Sequence, residues 1–246
     1  MKFLGVIPSR YASTRLEGKP LKDICGHTMI EWVYKRTRLS DLDEVVVATD
    51  DERIFKEVKK FGGKAVLTRK DHENGTSRIA EVCEKYKDYD VIVNVQGDEP
   101  LIEPEMINSI IESFKNDDTI SMSTLKYKID TLEEIENPNY VKVITDNNGY
   151  ALYFSRSVIP YPRKMDIKNY YKHVGIYGYK REFVVKYAKM EPTPLEKSES
   201  LEQLRALENG YRIKVMETPY KIIGVDTQEE LEKVREHILN NKIKLD

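Results

Sequence analysis

Cysteine is scarce in this chain: 246 residues contain two, Cys25 and Cys83, far apart and without a Cys-x-x-Cys pair. That excludes a disulfide-stapled scaffold and reads as two reduced thiols of a cytoplasmic protein. Histidine is hardly commoner, and the four (His27, His72, His173, His237) show no zinc-ligand spacing. No apolar run approaches the ~20 residues that span a bilayer, so no membrane partner is expected. The first strand-like run starts at Phe3, which is expected to leave no room for a signal peptide. Charge of one sign is not in excess: 40 Lys and Arg face 42 Asp and Glu, a net charge of −2, which argues against a general nucleic-acid binder. The familiar nucleotide motifs are missing too. Gly18-Lys19 is followed by Pro20, and no glycine lies five residues before Gly18, so the P-loop pattern fails. No Gly-x-Gly-x-x-Gly follows a strand, and there is no nucleophile elbow.

What is present is alternation. Hydrophobic residues make up 40% and charged residues 33%, enough for a real core in a soluble chain. The apolar runs Phe3–Ile7, Val45–Ala48, Ala65–Leu67 and Val91–Val95 read as strands. Between them Met29–Leu39, Asp51–Phe61 and Arg78–Tyr86 carry apolar residues at helical spacing. Continuous β-branched strands separated by helices predict an α/β fold with a mostly parallel sheet covered on both faces. Ligands on such sheets bind beyond the carboxyl ends of the strands. Pro138, Pro160, Pro162, Pro192 and Pro194 interrupt the second half, where strand-like pieces (Val141–Thr145, Leu152–Ser155, Val174–Tyr179) predict a smaller α+β extension. We expect one domain over 1–246, with a nucleotide-binding half, 1–125, and a half, 126–246, that takes a second substrate and a dimer contact. Thr227–Asn240 is predicted to be a closing amphipathic helix capped by Thr227.

The loop Pro8–Pro20 leaves the first strand with Arg10, Arg15 and Lys19 and the hydroxyls of Ser9, Ser13 and Thr14. Three cations and several donors at a strand end suit a polyanion such as a triphosphate, held by side chains more than by a glycine cradle. Asp98, in Gln96-Gly97-Asp98-Glu99-Pro100 after Val91–Val95, is placed either to hold Mg²⁺ or to cap a following helix. Asp226 ends the apolar run Ile222–Val225, read as a short strand, and at a helix start its type and place favour a helix cap over a metal ligand. Spacing does not show whether the two carboxylates meet. Thr49-Asp50-Asp51 reads as a helix cap. Gly75-Thr76-Ser77-Arg78 opens a helix, and Arg78 there is a surface residue unless the segment falls on the ligand rim. Arg156, Arg163, Lys172, His173 and Tyr177 form a later cluster. Arginine suits bidentate capture of a carboxylate, and His173 and Tyr177, four apart in an extended segment, point to one side. Glu202 and Gln203 lie on a helix, by default on its polar face.

Taken as a set, these segments resemble the 3-deoxy-manno-octulosonate cytidylyltransferase family, the CMP-Kdo synthetases. The matching pieces are Ile7–Leu16 with Gly18-Lys19-Pro20, Val47–Arg53, Asn94–Pro100, Tyr153–Arg156 with Ile159-Pro160, Lys172–Tyr177, Leu201–Gly210 and Gly224–Thr227. They run in family order across nearly the whole chain. The resemblance implies a Rossmann-like nucleotide-diphospho-sugar transferase fold, a homodimer, and the reaction of CTP with the acidic eight-carbon sugar Kdo to give CMP-Kdo and diphosphate for lipopolysaccharide synthesis, with Mg²⁺. Carried over, it implies that Arg10, Ser13, Arg15 and Lys19 bind the triphosphate. Thr76, Arg78 and Gln96 would place the nucleotide, Gln96 touching the sugar as well. Asp98 and Asp226 would be the metal carboxylates and, with Lys19 and Arg15, the catalytic set. Arg163, His173, Tyr177, Glu202 and Gln203 would hold Kdo, with Arg163 on its carboxylate. Glu17 and Ser77 depart from the family pattern, where proline and an acidic residue are expected. Rival readings are activation of another acidic sugar (an 8-amino-Kdo or a sialic-type acid), a P-loop phosphotransferase, disfavoured by Pro20, and a catalytically silent sugar-nucleotide-binding protein.

Overall fold

Seven residues, Phe3–Ser9, form β1, all but Pro8 buried, and everything at the candidate site is organised around its carboxyl end. The structure, a computed structural model, describes residues 1–12, 15–72, 74–163 and 169–245. Two compact units are present: Met1–Asn108 with Ile222–Asp246, and Ser109–Lys221. The last segment of the chain thus returns to the first unit.

In the first unit, β1 leads through the Pro8–Pro20 loop to a short hairpin of β2 (Asp23–Ile24) and β3 (His27–Thr28). Helix α1 (Met29–Arg38), strand β4 (Glu44–Thr49), helix α2 (Glu52–Lys60), strand β5 (Ala65–Leu67), helix α3 (Gly75–Lys85) and strand β6 (Val91–Asn94) follow. The four strands pair in parallel in the order β6-β1-β4-β5. Val6, Ile7, Val46, Val47, Ile92 and Val93 are fully buried, which is why these strands read as unbroken apolar runs. Helix α2 exists because Ile54 and Val58 repeat at helical spacing and bury completely, while the Asp51 carboxylate accepts from the Arg53 N–H at 2.9 Å as the predicted cap. Helix α3 starts earlier than the apolar spacing suggested, because Asn74 caps it, accepting from Ser77 N at 2.9 Å. Helix α4 (Pro104–Asn116) crosses the division between the units.

The second unit centres on β7 (Met122–Lys128). After α5 (Leu132–Glu136) come β8 (Lys142–Thr145), β9 (Ala151–Ser155) and the long β10 (Tyr171–Lys180). Short helices α6 (Arg181–Tyr187), α7 (Pro194–Glu199) and α8 (Leu204–Glu208) precede β11 (Ile213–Glu217). Strand β7 lies between β11, in parallel, and β10, antiparallel, and β8 joins β10 to β9. The β7–β10 register shifts between Val174 and Tyr177: His173 stands opposite Lys126 and Tyr177 opposite Thr124. A bulge thus absorbs two extra residues of β10 and holds both side chains on one face.

The chain re-enters the first unit as α9 (Gln228–Asn241), closely as predicted, with Thr227 and Glu230 forming a capping box. The run Ile222–Val225 before it forms no strand. It is fixed at one point instead, where Val225 N donates to Asp98 O at 2.9 Å. A second core explains why: Leu16, Ile24, Met29, Trp32, Val225, Leu231, Val234, Ile238 and Leu245 pack as one cluster. Leu16 and Val225 are anchors buried directly beside Arg15 and Asp226.

Candidate active site

At the carboxyl ends of β1 and β6 lies a cleft of about 420 Å³, lined by Pro8, Ser9, Arg10, Ala12, Arg15, Lys19, Pro20, Gln96, Gly97, Asp98 and Asp226. Two glycines make it possible. Gly97 brings the β6 turn so close to β1 that a Cβ would sit 2.9 Å from Pro8 O, a clash with backbone that cannot move aside. Gly18 has φ +64°, and a Cβ there would meet the Tyr11 ring at 3.0 Å. Tyr11 O accepts from Gly18 N at 3.1 Å, and the Arg53 guanidinium covers the other side of the ring, 3.3 Å from its centroid. The loop is therefore closed on itself by Tyr11, with Leu16 as its hydrophobic anchor.

The two carboxylates that spacing left apart do meet. Lys19 Nζ lies 2.7 Å from Asp98 Oδ2 and 3.0 Å from Asp226 Oδ1, and Arg15 reaches Asp226 Oδ2 at 3.0 Å. Burial alone would lower the Lys19 pKa, but the Asp98 charge, followed by that of Asp226, outweighs it, so the ammonium is held above its ordinary value. Neither aspartate caps a helix. Helix α4 begins only at Pro104, and α9 is capped by Thr227. Glu230 accepts from Asp226 N at 2.8 Å and so fixes the backbone of Asp226 while leaving its carboxylate to the cleft. Arg10 is steadied by the His72 carbonyl at 2.6 Å. Ser9, 3% exposed, has a hydroxyl with no hydrogen-bond partner among the described residues, a donor available to a ligand. Ser13 and Thr14 lie outside the described residues.

Thr76 and Arg78 lie at the start of α3. Both are buried and neither lines the cleft. The Arg78 guanidinium, with no exposure at all, donates to Asp50 Oδ2 at 3.1 Å and to the Thr68 hydroxyl. A buried cation needs such a partner, and Asp50 supplies it. The Thr49-Asp50-Asp51 segment thus splits its work, with Asp51 capping α2 and Asp50 neutralising Arg78.

In the second unit His173 and Tyr177 stand together, with the Glu202 carboxylate close enough to act on Tyr177. The rings of His173 and Tyr177 are 5.4 Å apart, and Phe154 meets His173 edge-on at 5.0 Å. Burial raises the Tyr177 phenol well above its ordinary pKa, and the Glu202 carboxylate adds to it. Gln203 is 4% exposed and its Nε2 has no partner among the described residues. Arg163 is exposed beside 164–168, which are outside the described residues, and no contact among the described residues brings it to this group.

Two supports, Thr124 and Glu199, carry no mark in the sequence. Thr124 of β7 lies with Oγ1 3.1 Å from His173 Nε2. Arg156 was read as a ligand candidate, but its Nε donates to Glu199 O at 2.7 Å. The Glu199 carboxylate accepts in return from Ser155 Oγ at 2.6 Å and Arg156 N at 2.9 Å. These bonds lock the turn at Ser200, φ 52°, just before Glu202. A hydroxyl on a neighbouring strand and a carboxylate at a helix end carry no signal in sequence spacing.

Burial, and to a lesser degree the Lys172 charge, pushes His173 down from its ordinary 6.5 to about 3. The unfolded chain therefore takes up a proton near 6.5 that the folded ring refuses until about 3, and stability falls as pH drops through that window. The loss expected from this one group is at most about 1.4 kcal/mol per pH unit. Urea unfolding between pH 6.5 and 4.5 is expected to show a shallower fall in His173→Gln than in the parent, and identical slopes would remove His173 as the cause.

A family model described as "Cytidylyltransferase" matches residues 4–215. The chain is 67% identical over 245 residues to the 3-deoxy-manno-octulosonate cytidylyltransferase of Fusobacterium nucleatum subsp. nucleatum, covering 100% of both. It is 54% identical to that of Geotalea uraniireducens, covering 97% of this chain and 99% of the relative. Among solved structures, a CMP:2-keto-3-deoxy-manno-octonic acid synthetase complexed with CTP superposes with a TM-score of 0.94 at 44% identity, covering 98% of this chain and 100% of the other. With matches of this extent to one set of enzymes, the chain belongs to the 3-deoxy-manno-octulosonate cytidylyltransferase family.

Proposed function

We propose that this protein transfers CMP from CTP to 3-deoxy-D-manno-octulosonate (Kdo), giving CMP-Kdo and diphosphate, the activation that precedes use of the sugar in lipopolysaccharide synthesis. The observation that carries the reading is the Lys19 ammonium held between Asp98 and Asp226 in a cleft it shares with Arg10 and Arg15. Cations for a triphosphate and carboxylates for a metal ion stand in one place, as phosphoryl-transfer chemistry requires.

The anomeric hydroxyl of the sugar attacks the α-phosphorus in line, with diphosphate leaving, and no protein nucleophile is needed. Arg10, Arg15 and Lys19 bind the triphosphate, and Arg15 and Lys19 offset the charge that builds on the leaving diphosphate. The acidic sugar is bound by Arg163, His173, Tyr177, Glu202 and Gln203.

Mg²⁺ fits the residues present. Among the described residues no group of three or more His, Cys, Asp or Glu could cage an ion. Mg²⁺, however, is commonly held by one or two carboxylates and completes its shell with phosphate and water. Asp98 and Asp226 already converge on a single cation, the Lys19 ammonium. Bound there, Mg²⁺ would supply charge neutralisation at the α-phosphate.

A cytoplasmic homodimer completes the reading. It is supported by the resemblance and by two free thiols, Cys25 and Cys83. No helix among the described residues is long and apolar enough to cross a membrane.

The test is diphosphate release with each nucleoside triphosphate, crossed with Kdo and its 8-amino analogue. CTP with Kdo is expected to give the highest turnover. A preference for another nucleotide, or for the 8-amino sugar, would replace the substrate assignment, and no release with any acidic sugar would remove the activity.

A further inference from the structure

Thr124 is fully buried on β7, opposite the bulge of β10. Its Oγ1 lies 2.9 Å from Val174 O, 2.8 Å from Ile176 O and 3.1 Å from His173 Nε2. A hydroxyl has one hydrogen to give. Both carbonyls can only accept, and the bulge brings both within hydrogen-bond distance of the same oxygen. If that hydrogen pointed at the imidazole, two carbonyl oxygens would face an oxygen lone pair with nothing between them. Shared between the carbonyls, it leaves the hydroxyl oxygen free to accept, so His173 Nε2 must carry the hydrogen of this pair. A neutral imidazole with a hydrogen on Nε2 has a bare lone pair on Nδ1. Burial keeps the ring neutral, since it holds the imidazole down to about 3. Among the described residues nothing donates to Nδ1.

We propose that Thr124 is a positioning residue that fixes His173 as an obligate hydrogen-bond acceptor, so that the sugar site demands a ligand hydroxyl that donates to Nδ1. The inference rests on the reading of this group as the acidic-sugar site and adds the direction of one hydrogen bond within it. It also assigns a role to a residue that touches no ligand. The unpartnered Gln203 Nε2 has the opposite polarity, a donor awaiting an acceptor. The pair gives the site a sense: one position takes a donating hydroxyl, another an accepting oxygen.

The tautomer is read directly by long-range ¹H–¹⁵N NMR on full-length ¹⁵N-labelled protein, with His173→Gln assigning the signal. The expected parent spectrum shows Nε2 protonated and Nδ1 bare. Thr124→Val is expected to lose that single form, giving a mixture or the Nδ1–H tautomer. The KM for Kdo should rise roughly tenfold while the KM for CTP stays put. Thr124→Ser, which restores the hydroxyl, is expected to recover both, and it keeps the test open if the valine variant folds poorly. A bare Nε2 in the parent would overturn the proposal. So would the parent tautomer and parent KM in Thr124→Val, or a serine variant that folds but rescues neither. Because the NMR readout needs no turnover, absence of Kdo activity would sink the functional reading without touching the tautomer assignment.

Discussion

Replacing Asp98 by asparagine is expected to slow diphosphate release by roughly 10²-fold or more, equivalent to several kcal/mol of barrier. The substitution keeps size and shape and removes only charge. The backbone of Asp98 is held independently, its carbonyl accepting from Val225 N at 2.9 Å, so the turn should survive. What is lost is the negative partner 2.7 Å from Lys19 Nζ. The ammonium then leans on Asp226 alone, and one of two carboxylates offered to Mg²⁺ is gone. Both losses fall on the region where charge is redistributed during transfer, so the deficit should sit in kcat more than in the KM for Kdo. Asp98 is only partly buried, so the change in stability should be small beside the change in rate, and a melting curve separates the two. Near-normal turnover of a folded Asp98→Asn at saturating Mg²⁺ would end the assignment.

The parts of this site legible in the sequence are those where chemistry and periodicity coincide. Strands buried on both faces leave near-continuous apolar runs such as Val91–Val95, broken only at Asn94, and those runs, with Gly97 and Asp98 after them, placed the rim correctly because close packing and a tight turn leave residue-level marks. Thr227 was legible as a cap because capping is local. Long-range convergence was not. Lys19 and Asp226 are 207 residues apart and meet only because Leu16 and Val225 are buried in one cluster, which spacing does not encode. Arg78 shows the converse limit. By position it reads as a surface residue, yet it is buried and its charge is satisfied inside the protein by Asp50, a residue already accounted for as part of a cap. The Ile222–Val225 run pairs in no sheet, and of its residues Val225 is the one buried in that second core. The hydroxyl and carboxylate supports, buried Thr124 and partly buried Glu199, stayed invisible because their partners are backbone carbonyls, hydroxyls and amides of other elements.

Lys19→Met separates the two roles this reading gives the lysine. As a binder of the leaving diphosphate its loss should lower kcat/KM for CTP by roughly 10²- to 10³-fold. Lys19→Arg is expected to rescue little, because the side chain is only 14% exposed and a planar fork does not replace a compact ammonium between two carboxylates. As the cation already lodged between Asp98 and Asp226, however, Lys19 opposes any second cation there. Its removal leaves the two carboxylates facing each other, with Arg15 on Asp226 as the remaining neighbour. Like charges so placed attract a divalent ion more strongly. Calorimetric titration of the nucleotide-free protein is therefore expected to show tighter binding of Mg²⁺ or Mn²⁺ in Lys19→Met than in the parent, even as turnover collapses. A general loss of fold would weaken both. Tighter ion binding with slower catalysis is the combination that only a shared site predicts, and weaker or unchanged ion binding in a folded Lys19→Met would show that Asp98 and Asp226 serve the lysine and not a metal.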